Sequence, residues 1–372
     1  MRKKCLRQGS GVRGQGPSEI SNFKFEITDS LAPDPRSPIP VFMKITILEF
    51  APCADSIYHI ARDAEEGYIS GDAETLSLRS GAKLRPRAVS TYAGGKATNV
   101  ARVIEKLLKP EDQVEIELVV FRPDSAEGRY IHELQTAALN RVQIRPAIIR
   151  GKARLCIDLT DPTTPSDRRV EFNISPRALW EPDALEVAQK FVATISTDLL
   201  LLAGNPPVIE PAGRMAVELY AQIIAEVRSR VAVVSVDVEK GALRHCLAAK
   251  QQPDVIKINT DEHRWAESLW GDFRGTLVVT DAGGCLVSEN GSPPSRIRGA
   301  SIEKLYSRVG AGDAVHAGFT LARWVWGFDL TRAACYGQAA AAATVSSIEG
   351  TRGVKREAVE KFFAKIESEG AG

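Results

Sequence analysis

From residue 43 onward, short runs of apolar and β-branched residues alternate with longer stretches in which apolar positions recur every three or four residues. The runs at 44–50, 114–121, 198–203, 231–237, 254–258 and 276–280 predict strands, and the stretches at 97–109, 124–139, 209–230 and 239–250 predict amphipathic helices. Such alternation is the pattern of parallel strands covered by helices, so the expected fold class is α/β, a doubly wound three-layer αβα sandwich. Two stretches break it. Residues 68–92 and 141–173 read as short polar–apolar strands, notably 153–159 and 169–173 around a proline-rich turn, and predict a small β lid over one edge of the sheet. The segment 312–368 is helical in pattern, and its alanine run at 339–343 suits close helix packing.

Residues 1–42 carry no such period. They are rich in Gly, Pro, Ser and charge and end in Pro33, Pro35, Pro38 and Pro40, which predicts a disordered extension before a single domain spanning 43–372. The abrupt start of the pattern makes Met43 the expected translation start if the extension is not part of the protein. The 48 Lys and Arg nearly balance 47 Asp and Glu, a net charge of +1, so no overall field draws the chain onto nucleic acid or an acidic membrane. The six cysteines are scattered singly, as expected of reduced thiols in a cytoplasm. The basic start, Met1 to Lys4, leads into Gly, Ser and Gln rather than an apolar stretch, so no signal peptide is expected; the longest apolar runs, such as 199–204, are too short to cross a bilayer.

Two glycine-led helix starts carry the candidate chemistry. In Val309-Gly-Ala-Gly-Asp-Ala-Val-His-Ala-Gly-Phe319, Gly310, Ala311 and Gly312 let backbone N–H groups converge at a helix N-terminus, a ready anion site, with Asp313 in its first turn. A carboxylate beside an anion cradle can take a hydroxyl proton while the amides stabilise a transferring phosphoryl group. In Tyr92-Ala-Gly-Gly-Lys-Ala-Thr-Asn-Val-Ala-Arg102, Gly94 and Gly95 precede Lys96, Asn99 and Arg102, which at i, i+3 and i+6 crowd one end of one helix face. His316 reads as packed or solvated, and the remaining histidines lack metal-ligand spacing. Trp324 and Trp326 read as core and rim at a helix end, and Arg168–Arg169 as an exposed pair on the lid.

Together the two stretches resemble the PfkB family of carbohydrate kinases, with its Gly-Gly-Lys-Gly-x-Asn and Gly-Ala-Gly-Asp signatures. Asn99-Val-Ala-Arg102 is most similar to the 1-phosphofructokinase and tagatose-6-phosphate kinase branch. The resemblance runs from about Met43 to the C-terminal helices and implies a ribokinase-like sandwich with a small β lid. Pro52-Cys-Ala-Asp55 is similar to the segment whose aspartate holds sugar hydroxyls, and Lys152-Ala-Arg154 to one whose arginine reaches the substrate phosphate. Lys257-Ile-Asn-Thr-Asp-Glu262 resembles the segment near the nucleotide phosphates and magnesium. The middle strand ends at 202–207 and at Asp237 also match.

The roles so implied are Asp313 as base with the amides of Gly310, Ala311 and Gly312; Asp55, Gly94, Gly95, Lys96, Asn99, Arg102 and Arg154 at the acceptor; Lys257, Asn259, Thr280, Gly283 and Gly284 at the nucleotide; and Glu262 at Mg²⁺. The chemistry of phosphoryl transfer asks for the same parts: a base, in-line positioning and a divalent ion between phosphates.

The implied reaction is transfer from ATP to a sugar phosphate, fructose 1-phosphate first, with tagatose 6-phosphate or fructose 6-phosphate as near alternatives. A homodimer formed through the lid is compatible with that reading. Departures from the family pattern are Ala97 for glycine after the lysine, Ala51 for asparagine before Pro52, Arg122-Pro123 in place of a glycine-rich turn, a short stretch from 262 to 277, and Val279-Thr-Asp-Ala-Gly-Gly284, where only later glycines persist and Thr280 is a shifted hydroxyl. They keep a rival reading open, a non-catalytic sugar-phosphate sensor. A dinucleotide-binding dehydrogenase is disfavoured, because neither glycine cluster gives Gly-x-Gly-x-x-Gly after a first strand.

Overall fold

The computed structural model describes residues 42–59, 69–70, 77–78, 88–160, 172–174 and 177–370. The extension, apart from Phe42, the Arg168–Arg169 pair and much of the lid stretches lie outside the described residues.

The main sheet is nine-stranded. Its strands are β1 (Met43–Glu49), β4 (Val114–Pro123), β5 (Val142–Ile149), β8 (Thr197–Gly204), β9 (Val231–Val238), β10 (Val255–Asn259), β11 (Thr276–Asp281), β12 (Gly284–Glu289) and β13 (Ser295–Arg298). They lie in the order β13-β12-β11-β10-β9-β8-β1-β4-β5, parallel except for β12 and β13. A second, four-stranded sheet joins β2 (Cys53–His59), β3 (Ala88–Gly94), β6 (Arg154–Thr160) and β7 (Phe172–Ile174) in the order β7-β6-β2-β3. This is the lid.

The central strands read as continuous apolar runs because both faces are buried. Ile45 and Ile47 of β1 enter one core with α1 (Lys96–Leu107), α7 (Ala311–Thr320), α8 (Leu330–Val345) and α9 (Arg356–Gly370). Leu48, and Phe50 just beyond β1, enter the other, with α3 (Asp183–Val192), α4 (Leu219–Val227) and α5 (Lys240–Ala248). The chain is therefore the expected ribokinase-like αβα sandwich.

Three expectations are corrected. Residues 142–149, assigned to the lid, form the edge strand β5 of the main sheet, in parallel register with β4 from Ile116↔Val142 to Pro123↔Ile149. An edge strand is only partly covered, so its burial is mixed and its sequence mimics that of a lid strand. The helix expected over 209–230 is confined to Leu219–Val227, because Pro211 and Gly213 interrupt it and 208–215 makes short strands instead. Strands β2, β12 and β13 had not been expected.

Candidate active site

In a doubly wound sheet the strands open a crevice at their carboxyl ends where the chain reverses its direction of winding. Here β1 lies between β4 and β8, and a cavity of about 640 Å³ opens at this edge. Lid strands β2 and β6 supply one wall through Cys53, Asp55, Arg154 and Cys156. Glu49, Asn205, Asn259 and Thr280, within a residue of the ends of β1, β8, β10 and β11, stand along the floor with Lys257 of β10.

Both glycine-led helix starts open into this cavity. Helix α1 is entered through Gly95, whose φ of 102° favours glycine and where a Cβ would lie 2.5 Å from Glu49 Oε2. With no side chain at that cap, Glu49 serves the helix from β1: it accepts from the Thr98 N–H at 3.0 Å, the Thr98 hydroxyl at 3.3 Å and the Ala51 N–H at 3.3 Å. Burial pushes the Glu49 carboxyl up to about 7, even against these bonds.

Helix α7 is capped by Gly310, left-handed at φ 79°, with no side-chain cap. Asp313 is therefore free of the capping role that a first-turn aspartate could otherwise play. Its Oδ2 accepts from Asn99 Nδ2 at 2.9 Å, joining two motifs 214 residues apart. The Asn99 amide is oriented from behind, because Arg102 Nη1 at 2.7 Å and the Thr351 hydroxyl at 3.2 Å both donate to its Oδ1. In the first turn, Ala311 N–H donates to the Arg308 carbonyl at 3.2 Å, whereas the N–H groups of Gly312 and Asp313 have no intrahelical acceptor.

Charge concentrates beside this turn. Asp237, at the end of β9 and 1% exposed, accepts from Lys96 Nζ on Oδ1 and from Lys257 Nζ on Oδ2, each at 2.8 Å. Burial alone would raise the Asp237 carboxyl, but the two ammonium groups hold it well below the usual carboxylate range. Burial alone would lower the Lys96 ammonium, but Asp237 and Asp313 hold it above its ordinary value, while about a third of its side-chain surface stays open to the cavity. Burial pushes Asp313 up to about 6, against the pull of Lys96. His316, 0% exposed, is packed beneath the site with Nε2 2.7 Å from the Ser235 hydroxyl, and burial lowers it to about 4.

Not every expected residue reaches the cavity. Gly310, Ala311, Gly312, Asp313, Lys96 and Asn99 do, as do Gly95, Asp55 and Arg154. Gly94 lies beneath Asp55, where a Cβ would meet the carboxylate. Arg102, expected at the substrate phosphate, does not line the cavity: it is 1% exposed and its guanidinium is spent on Asn99, Thr351 and the Ala93 carbonyl. The i+6 position turned it under the helix start rather than beside Lys96.

At the other end Lys257, Asn259, Thr280 and Gly284 line the cavity, although the Lys257 ammonium is bound to Asp237 rather than left to reach outward. Thr280 donates its hydroxyl to the Ile258 carbonyl at 3.1 Å. Gly283 does not line the cavity, and its N–H caps Asp281 at 2.7 Å. Asn259 and Glu262 form a capping box on the six-residue helix α6 (Thr260–Trp265), with Glu262 Oε2 accepting from Asn259 N–H at 2.9 Å. Glu262, expected at the metal, lies outside the cavity lining and has one oxygen committed to this cap.

Sequence reasoning missed three features. Glu49 gave no signal, since its partner Thr98 lies 49 residues away. Asp237 stands out in the sequence only as a strand end. An apolar wall formed by Ile302, Leu305 and Val315 with Ala342 and Val345 of α8 had left one trace, the alanine run whose small side chains leave room there.

A family model described as pfkB family carbohydrate kinase matches residues 67–356. The chain belongs to that family. This pfkB-family kinase is accordingly a phosphotransferase acting on a carbohydrate hydroxyl. A search of curated proteins found no match.

Solved structures similar to this kinase include phosphofructokinase-2 from Escherichia coli in complex with potassium, at 20% identity and a TM-score of 0.70, covering 88% of this chain and 100% of that one. A possible 1-phosphofructokinase from Thermotoga maritima matches at 17% identity and TM-score 0.65, covering 86% and 97%. Ribokinase from the same organism matches at 15% and 0.59, covering 87% and 100%. These likenesses show the fold. Among the described residues, no helix is long and apolar enough to cross a membrane.

Proposed function

We propose that this kinase transfers the γ-phosphoryl group of ATP to a hydroxyl of a ketohexose phosphate, with fructose 1-phosphate the first candidate acceptor. The observation that carries the reading is the Asn99–Asp313 contact at the head of α7, beside the two lysines that share Asp237. Asp313 takes the acceptor proton, and a carboxyl held near 6 is ionised at neutral pH while remaining basic enough to accept it. The N–H groups of Gly312 and Asp313 and the Lys96 ammonium face the charge that builds on the transferred group. Asp55 holds sugar hydroxyls, and Arg154 pairs with the acceptor phosphate.

The apolar wall of α8 and residues 302–305 supports a nucleotide base at the other end, and favours an enzyme over a sensor. As a family of kinases implies, the donor comes with a divalent cation; we take it to be Mg²⁺. Glu262 has one carboxylate oxygen outside its cap, which suits an ion otherwise held by phosphates and water. Held there, such an ion would supply charge neutralisation for the phosphates. Fructose 6-phosphate is the second candidate, since E. coli phosphofructokinase-2 is described in complex with it.

The test is ADP release with Mg²⁺ over a panel of sugar phosphates and free sugars, for wild type and Asp313→Asn. Turnover is expected on a ketohexose phosphate, with the variant slower by about two to four orders of magnitude at unchanged acceptor affinity. Equal turnover of the two proteins, or none on any sugar, sinks the proposal.

A further inference from the structure

Lid strands β2 and β6 run parallel, with Cys53 opposite Arg154 and Asp55 opposite Cys156. Residues two apart in a strand share a face, and paired residues of neighbouring strands share it too, so these four side chains form one patch, which lines the cavity. The Cys53 Sγ, the Cys156 Sγ and an Asp55 carboxylate oxygen all lie within 4.8 Å of one another, with Cys53 Sγ donating to Asp55 Oδ1 at 3.2 Å. Both thiols are nearly buried, at 2% and 3% exposure.

We propose that Cys53, Asp55 and Cys156 bind one thiophilic divalent cation of the zinc class at the acceptor end of the cavity. Tetrahedral zinc, with bonds of about 2.3 Å to sulfur and about 2.0–2.2 Å to oxygen, needs donor atoms roughly 3.3–3.8 Å apart, which small side-chain rotations provide here. Two thiols and a single carboxylate select against magnesium and calcium, which take oxygen ligands. The thiols lose their protons to solvent as the cation binds. Without the cation, the bond to Cys156, burial and the Asp55 charge hold the Cys53 thiol well above its ordinary value, opposed only by Arg154, whose Nη2 lies 3.5 Å from Cys156 Sγ, so it is the cation itself that draws the protons off. The fourth position faces the cavity and takes water or a sugar oxygen. Because Asp55 is the carboxylate assigned to sugar hydroxyls in the proposed function, cation and acceptor compete. That consequence rests on the proposed function; the site itself does not.

The site is tested on the full chain carrying Cys5→Ser, reduced and kept from oxygen, by titration with Co²⁺ and back-titration with Zn²⁺. One equivalent of Co²⁺ is expected to give thiolate charge-transfer absorption, displaced by Zn²⁺. Cys53→Ala and Cys156→Ala should each abolish the band and weaken zinc binding at least tenfold against a chromophoric chelator, with melting temperature checking the fold. Absence of a one-equivalent thiolate band in the parent chain overturns the site whatever the variants do, and so does a band that survives both substitutions. In the ADP-release assay Zn²⁺ should raise the acceptor KM at constant kcat, and Cys53→Ala should relieve the effect. A purely kcat effect with the band intact overturns the competition. Failure of every sugar to turn over would remove the proposed function and leave the spectroscopic result standing.

Discussion

Glu49 offers a quantitative test of the electrostatics at the head of α1. Its carboxyl, 1% exposed, is pushed from 4.5 up to about 7 by burial, in spite of the N–H bonds it accepts. Between these values the folded chain holds a proton that the unfolded chain has released, so stability falls as pH rises. The interval is about two and a half pH units at about 1.36 kcal/mol each, so the carboxyl removes about 3 kcal/mol between pH 4.5 and 7, after which its effect is level. Glu49→Gln keeps one oxygen for the Thr98 N–H and hydroxyl, sets an amide NH2 where the other oxygen accepted from Ala51 N–H, a cost that is the same at every pH, and cannot ionise. Every other titrating group is shared by the two proteins and cancels in their difference. Urea unfolding of both at intervals from pH 4.5 to 8 should show the variant gaining about 3 kcal/mol on wild type by pH 7 and little beyond. Parallel stability profiles would refute the reasoning, and would mean that water or local opening solvates Glu49.

Asp313 must be ionised to act, so kcat/KM should fall about tenfold per pH unit below about 6, and a profile flat to pH 5 would remove it as the base. Arg154→Ala should raise KM for a sugar phosphate about ten- to a hundredfold while changing activity on a free sugar far less, as steady-state kinetics on both substrates would show. Arg102→Ala should behave differently. It leaves a cavity and takes one donor each from Asn99, Thr351 and the Ala93 carbonyl, so about 3 kcal/mol or more of stability is lost, and both substrates slow by the same factor. Losses confined to the sugar phosphate would return Arg102 to the acceptor site.

The sheet was legible in the sequence because strands buried on both faces carry continuous apolar runs, as 199–203 and 231–234 do. The two glycine-led helix starts were legible for a similar reason: a turn that admits only small residues writes itself into the chain, and Asp313 and Lys96 stand at fixed offsets from it. What tertiary structure decided was direction and partnership. Arg102 and Arg154 are the same side chain, but the phase of a helix turned one inward to Asn99 and a lid strand turned the other to the cavity. The shared carboxylate of Asp237, the cap that Glu49 lends to α1 and the patch of Cys53, Asp55 and Cys156 all join residues far apart in the chain. Sequence periodicity reports only what happens within one element. Which ends of which strands meet, and so which charges must neutralise one another in a buried cavity, is set when the strands assemble on either side of β1.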